Sequence, residues 1–394
     1  MKKKTVLLFV TGDLASSAVY VCRLNLSVAA PVLQSEGMMT KAQIGWLSSV
    51  FFITYSLGQL FNGCLGDRLK ARNMICTGLL LAGICNVMIG ALPPFAAIFV
   101  LWAINGYAQS MVWGPLLRTV SASFNKEKGR YIASLLISSV AAGSVIGIVL
   151  ASFSASMLGI CFAFMLPGCV TLVVCGVVML LFRTEEPAKT EKRSLLKQLF
   201  LEPKILLILL PAMIHGVLKD NINLWAPSYF VQTFQTSISG TAFYVLIIPV
   251  ISLVGRLIYP VIYRACHGRE HLVTMLALGV SGIALMPLCV GAGSMVSVVC
   301  LSLVAAAISV VNTSILSIYP MNFKKDGLVS SVAGIMDFAT YMGAGISSAI
   351  YGYVLEYSSF EIMYVSWIVL CLAGIVILVK LERKYGYEKI SDSR

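Results

Sequence analysis

The sequence predicts an all-α polytopic membrane protein, with twelve transmembrane helices in two pseudo-symmetric six-helix bundles, and three observations carry that expectation. Of the 394 residues, 58% are hydrophobic and 12% charged, and the mean hydropathy is +0.89, too apolar to coat a soluble globule. Apolar runs of about 18 residues or more, the length a helix needs to cross a bilayer, recur from end to end. A pattern in the first half also returns 196 positions later, where Lys219, Asn221, Ala226 and Pro227 answer Arg23, Asn25, Ala30 and Pro31.

Taken in order, the apolar segments run at about Val6 to Pro31, Ile44 to Leu65, Met74 to Leu92, Phe95 to Leu117, Tyr131 to Ser154 and Met157 to Phe182. Six more follow at about Ile205 to Phe230, Thr241 to Tyr263, Val273 to Val290, Met295 to Ile318, Leu328 to Tyr353 and Ile362 to Leu381. The expected organisation is a bundle over 1–182, a charged cytoplasmic linker over 183–204, and a second bundle over 205–394 with a short cytoplasmic tail. The linker joins T-E-E-P-A-K-T-E-K-R to the more amphipathic S-L-L-K-Q-L-F-L, which suits a tether lying on the membrane surface, with a regulatory role as the alternative.

Basic residues fall in alternate loops. Lys2, Lys3 and Lys4 precede the first span, Arg68, Lys70 and Arg72 follow the second, and Lys126, Lys128 and Arg130 follow the fourth. The linker, Arg264 and Arg269, Lys324 and Lys325, and Lys380, Arg383 and Lys384 continue the series, whereas the opposite loops offer Lys41 with Glu36, Glu356 and Glu361. The bias of cytoplasmic loops toward Lys and Arg then places both termini and the linker in the cytoplasm of a multi-pass cell-membrane protein. It also accounts for the net charge of +12 without nucleic acid as a partner.

Eleven cysteines are scattered through the apolar runs with no C-x-x-C pair, so neither a zinc site nor a disulfide framework is expected. No phosphate-cradling G-x-x-x-x-G-K-[ST], H-E-x-x-H zinc helix or serine elbow occurs, and no enzyme activity, cofactor or metal is expected. The expected partners are a small anionic substrate and the lipid bilayer, with the chain a monomer.

Function is carried by the polar residues inside the spans. A cation at membrane depth costs roughly 2.5–3.5 kcal/mol on insertion scales, so two at matching places of a repeat mark Arg23 and Lys219 as substrate ligands. Asp13, Ser16, Tyr20, Arg23 and Ser27 recur at steps of three or four and share one face of the first span. On the seventh, His215, Lys219 and Asn223 follow at i, i+4 and i+8. Asn105 and Gln109 on the fourth span, with Ser309 and Asn312 on the tenth, extend the polar set. The competing reading is that the two cations snorkel or pair with acids such as Asp220 and Asp337 to hold helices together, and that Tyr20 and Trp225 are packing aromatics.

Gly63 to Arg72 reads G-C-L-G-D-R-L-K-A-R and resembles the loop motif between the second and third helices of the major facilitator superfamily. In its copy Arg264 stands opposite Arg68, but Tyr263 replaces Asp67. Asp67, Arg68 and Arg118 are therefore the expected structural gate motif. At closer range Y-V-C-R-L-N-L-S-V-A-A-P, N-G-Y-A-Q-S-M-V-W-G-P-L-L-R-T and K-D-N-I-N-L-W-A-P-S-Y look most like the organophosphate:phosphate antiporters, the glycerol-3-phosphate and hexose-phosphate transporters. The anion:cation symporters come next. The resemblance implies one arginine on the first helix and one on the seventh at the phosphate site, positions held here by Arg23 and Lys219, with Tyr20 matching a site tyrosine. A fifth-helix histidine of that family is replaced by Ser138 or Ser139. Lysine cannot clamp two oxygens in a fixed fork, so a carboxylate stays open as cargo.

The implied activity is secondary transport by alternating access, the two bundles rocking about a midplane site. Two unit charges about 10 Å apart at an effective dielectric of 20 repel by roughly 1.7 kcal/mol, and a bound anion reverses that term, which favours exchange over leak. If Asp337 instead neutralises Lys219, its protonation would release the lysine, giving proton-coupled symport of a sugar acid. A transporter-like sensor of a sugar phosphate is the third reading.

Overall fold

The computed structural model describes residues 3–66, 69–123, 138–182, 203–323 and 329–385, and all the regular structure among them is helical. Each expected span falls on one long helix. These are α1 Lys3–Ser35, α2 Lys41–Gly66, α3 Ala71–Gly90, α4 Phe95–Ser123, α5 Ser138–Met157, α6 Phe162–Leu181, α7 Pro203–Phe234, α8 Ile238–Ala265, α9 Glu270–Leu285, α10 Ser294–Asn312, α11 Val329–Tyr357 and α12 Phe360–Tyr385. Ten helices of the described chain are long and apolar enough to cross a membrane. Helix is the form this composition must take in a bilayer, because a spanning segment has no water to satisfy its backbone and closes its own hydrogen bonds. Prolines inside α1, α4, α6 and α8 (Pro31, Pro115, Pro167, Pro249 and Pro260) are tolerated for the same reason: neighbouring helices re-satisfy the freed carbonyls.

Large apolar side chains point outward, among them Leu180, Leu257, Val261, Ile283 and Val299. Such an exterior would aggregate in water and suits acyl chains. The chain divides into two compact units, Met1–Glu191 with Asn223–Leu246, and Lys192–Ile222 with Ile247–Arg394. Of the linker expected over 183–204, residues 183–202 lie outside the described part.

In the first unit, α1, α3, α4 and α6 share a core built from Ala15, Val19, Ile75, Leu79, Val112, Leu116 and Val178. Polar side chains tie its helices together. Asn25 Nδ2 donates to Asn86 Oδ1 (2.7 Å), Asn62 Nδ2 to Ser110 Oγ (2.6 Å) and Thr54 Oγ1 to the Ala103 carbonyl (2.9 Å). Interhelical bonds of this kind average about 0.6 kcal/mol in a membrane, so they register helices more than they stabilise them. Gly143 on α5 lies against the backbone of Ser17, where a Cβ would meet the carbonyl at 2.6 Å.

The second unit uses the same device. Gly216 on α7 is pressed on the carbonyl of Thr340, and a Cβ on Gly343 of α11 would meet the Met213 carbonyl at 2.5 Å. Asn221 Nδ2, the repeat partner of Asn25, donates to Ser347 Oγ on α11 (2.8 Å). One departure from the expected regular spans is the end of α10, which widens into a π-helix over Thr313–Ile318 and tightens into a 3-10 turn over Tyr319–Phe323. Ser314 Oγ there donates to the Glu270 carbonyl (2.9 Å), and Pro320 supplies no N–H to continue an α ladder.

Candidate functional site

Arg23 sits well inside α1, roughly 18 Å from its C-terminal end at 1.5 Å per residue, and is 8% exposed. Its Nε donates to Gln109 Oε1 (3.1 Å), Gln109 Nε2 donates to Asn105 Oδ1 (3.0 Å), and Asn105 Nδ2 donates to the Cys22 carbonyl (3.3 Å). The amide chain thus starts from α1, runs one turn along α4 and returns to α1. It orients the guanidinium without placing a carboxylate on that nitrogen.

Three rings face the same group, with centroids at 4.6 Å (Tyr55), 5.0 Å (Tyr20) and 5.3 Å (Phe51) from Cζ. Phe51 and Tyr55 are themselves nearly parallel, 6.3 Å apart. Desolvated cation–π contacts are worth up to about 2 kcal/mol and shield the charge from lipid while leaving it a charge. A guanidinium can meet a carboxylate or phosphate through two parallel hydrogen bonds.

Lys219 in the second unit stands differently. Its Nζ lies 3.4 Å from Asp220 Oδ2 and 4.6 Å from the Tyr341 ring centroid, with the side chain 26% exposed and that of Asp220 5% exposed. One turn earlier on α7, His215 is buried and hydrogen-bonded through Nε2 to Asn312 Nδ2 at the end of α10 (3.2 Å). Asp337, half-buried on α11, precedes Tyr341 by four residues and so shares a helix face with the ring under Lys219. Asn223, half-buried one turn beyond Lys219, enters no hydrogen bond given for the described residues.

Other expected positions are placed as follows. Ser16 accepts from Ser139 Oγ (2.8 Å), while the Ser139 carbonyl accepts from Ser17 (3.3 Å), so Ser139 serves the α1–α5 crossing. Ser27 bonds the Leu24 carbonyl of its own helix, and Ser309 accepts from Thr313. Asp13 is half-buried, and Trp225 is buried, with no hydrogen-bond partner for its indole N–H among the described residues. Asp67 and Arg68 lie outside the described residues, and of Arg118 only the position on α4 is described.

Sequence reasoning missed Phe51, Tyr55 and Tyr341. Aromatic residues four apart on α2 were a usable signal for one face, but nothing in the chain said that this face meets Arg23. A shallow apolar cleft, too small to hold more than about one water, is lined by Val28, Pro31, Ile148, Ser152, Pro227, Val231, Thr241 and Val245, and so brings both repeat-related prolines to one place in the first unit.

Comparison with known proteins agrees with this geometry at the level of the fold. The chain is 26% identical over 242 residues to the membrane sensor protein UhpC of Escherichia coli, covering 54% of each chain. It is 31% identical over 196 residues to the phosphoglycerate transporter protein of Salmonella typhimurium, covering 48% of this chain and 42% of that one. Over 123 residues it is 31% identical to the glycerol-3-phosphate transporter of Haemophilus influenzae, 30% of this chain and 26% of that one. The chain thus spans about half or less of the length of these curated relatives. Among solved structures, the nucleoside transporter NupG superposes with a TM-score of 0.76 at 14% identity, over 97% of this chain and 99% of that one. Residues 13–338 match the Major Facilitator Superfamily. The chain belongs to that superfamily and is a multi-pass membrane protein.

Proposed function

We propose that the protein exchanges a small organic anion, an organophosphate or sugar phosphate against inorganic phosphate, by alternating access. The observation that carries this reading is the repeat: α1 and α7 each bring one cation to the same repeat position, and Arg23 lies at membrane depth beside an amide and aromatic rings. The relatives named for glycerol-3-phosphate and phosphoglycerate transport support the substrate class. Arg23 and Lys219 supply the charge, with Tyr20, Asn105, Gln109, His215, Asn223 and Asn312 as the polar ligands. Asp67, Arg68 and Arg118 act as the gate motif.

The two six-helix bundles, 1–182 and 205–394, are joined by the cytoplasmic tether, and the chain works as a monomer with both termini in the cytoplasm. Counterflow of labelled glycerol 3-phosphate into phosphate-loaded proteoliposomes tests the exchange, and absence of trans-stimulation by internal phosphate would sink it. An engineered cysteine near Lys192 that reacts only from the outer face of sealed cells would overturn the orientation.

A second reading, proton-coupled symport of a sugar acid, is favoured by Asp337, one turn from the ring under Lys219. Uptake driven by an imposed pH gradient in vesicles without counter-substrate would select it. The third, a sensor of a sugar phosphate, draws on the Escherichia coli relative, and ligand binding without any counterflow would favour it.

A further inference from the structure

His215 on α7 is 1% exposed, and the two nitrogens of its ring are in different situations. Nε2 faces Asn312 Nδ2 at the end of α10 (3.2 Å), whereas Nδ1 is buried with no hydrogen-bond partner among the described residues. An amide nitrogen only donates, so Nε2 is the accepting nitrogen, and the proton of the neutral imidazole then sits on Nδ1. An imidazolium, with an N–H at both nitrogens, could not accept this bond. The next residue, Gly216, is pressed on the Thr340 carbonyl of α11, closer than any side chain would allow. Asn312 of α10 thus fixes the ring, and α11 fixes the depth of the turn that carries it. Lys219 stands four residues on, on the same face of α7, and a helical side chain leans back over the preceding turn. Its ammonium, 3.4 Å from Asp220 Oδ2, and the Nδ1–H are therefore two donors on one stretch of helix. A buried donor left unmet is destabilising, and an acceptor oxygen brought by a ligand removes that cost.

We propose that the Nδ1–H of His215 donates to one oxygen of the substrate's anionic group while Lys219 meets another, and that Asn312 is the positioning residue that sets this tautomer. The inference rests on the organic-anion reading above and deepens it. A lysine is a point charge without the fork of an arginine, and the imidazole supplies the second, directed donor beside it. Because the ring is neutral, it adds direction without adding charge.

The test is titration calorimetry of glycerol 3-phosphate on the purified full-length protein. Asparagine places its amide nitrogen on Cγ, as Nδ1 is placed in histidine, and glutamine places it one atom further out, nearer the position of Nε2. His215→Asn should therefore keep the affinity within about threefold of wild type, and His215→Gln should lower it by roughly tenfold. If the ring served only to hold α7 to α10, glutamine would be the better replacement. Equal affinities in the two variants, or a tighter His215→Gln, would overturn the inference. If either variant does not fold, nitrogen-15 NMR of the histidine-labelled wild type decides, with three histidines in the chain to resolve. It should show a ring protonated at Nδ1 whose signal moves when glycerol 3-phosphate is added, and Asn312→Leu should release that ring to the other tautomer. Absence of such a ring, or an unchanged one in Asn312→Leu, would overturn the proposal and leave the transport reading standing. Failure of wild type to bind glycerol 3-phosphate would overturn both together.

Discussion

The first and seventh helices come from one repeat, yet their cations live in opposite surroundings. Arg23 is held by an amide and three aromatic faces, whereas Lys219 is held by a carboxylate and one ring. The amide and the ring faces around Arg23 can stay in place when a ligand arrives. A charge paired with Asp220 must share or exchange its partner when an anion arrives, and its 26% exposure means that water also screens it. The same divergence appears in the asparagines two residues on: Asn25 bonds α3, while Asn221 bonds α11. What the repeat keeps is the depth of each polar group, and what it lets drift is the neighbour.

Removing the better-prepared charge should have the largest effect. Arg23→Ala is expected to lower anion affinity by about 100-fold or more, the order of a lost bidentate charged contact, while the protein still elutes as a folded species. Lys41→Ala, at the start of α2, should change little. Wild-type binding to Arg23→Ala would break the comparison outright. Lys219→Gln should cost less, roughly tenfold, because Asp220 already offsets part of that charge, and Lys219→Arg should hold or tighten binding by restoring the planar fork. If Lys219→Gln proved as damaging as Arg23→Ala, the two settings would not differ in function.

Asp337→Asn should shift the pH profile of transport by more than it changes the exchange of pre-loaded substrate, and should harm folding less than Asp337→Lys, which adds a like charge close to Lys219. No change in either pH profile or affinity would leave Asp337 a local hydrogen-bonding residue and remove the carrier from the symport reading. The smallest expected effect is that of Phe51→Leu. Loss of one ring face should weaken binding by about 0.5–1 kcal/mol, read as a few-fold rise in Kd, and a larger loss would make α2 a principal part of the anion site.

Spans were readable because bilayer thickness imposes a length on any apolar run, and each of the twelve expected segments coincides with a helix. Arg23, Gln109 and Asn105 were readable as polar residues at helical spacing inside such runs. That they form one hydrogen-bonded chain was not, since α1 and α4 are far apart in sequence and their contact depends on which helices pack as neighbours. The π-helical end of α10 was hidden for a related reason: it arises where Ser314 reaches the Glu270 carbonyl of another helix.

Hydrophobic length, loop charge and the 196-residue repeat are properties of the chain in one dimension, and they suffice for a twelve-helix membrane protein with a cation inside one span of each half. The partners of those cations are a different matter. Phe51 and Tyr55 around Arg23 and Tyr341 under Lys219 come from helices that only packing makes adjacent. Hydrogen bonds and ring contacts act only within a few ångströms, so the setting of each charge is decided by neighbours that the order of residues does not reveal.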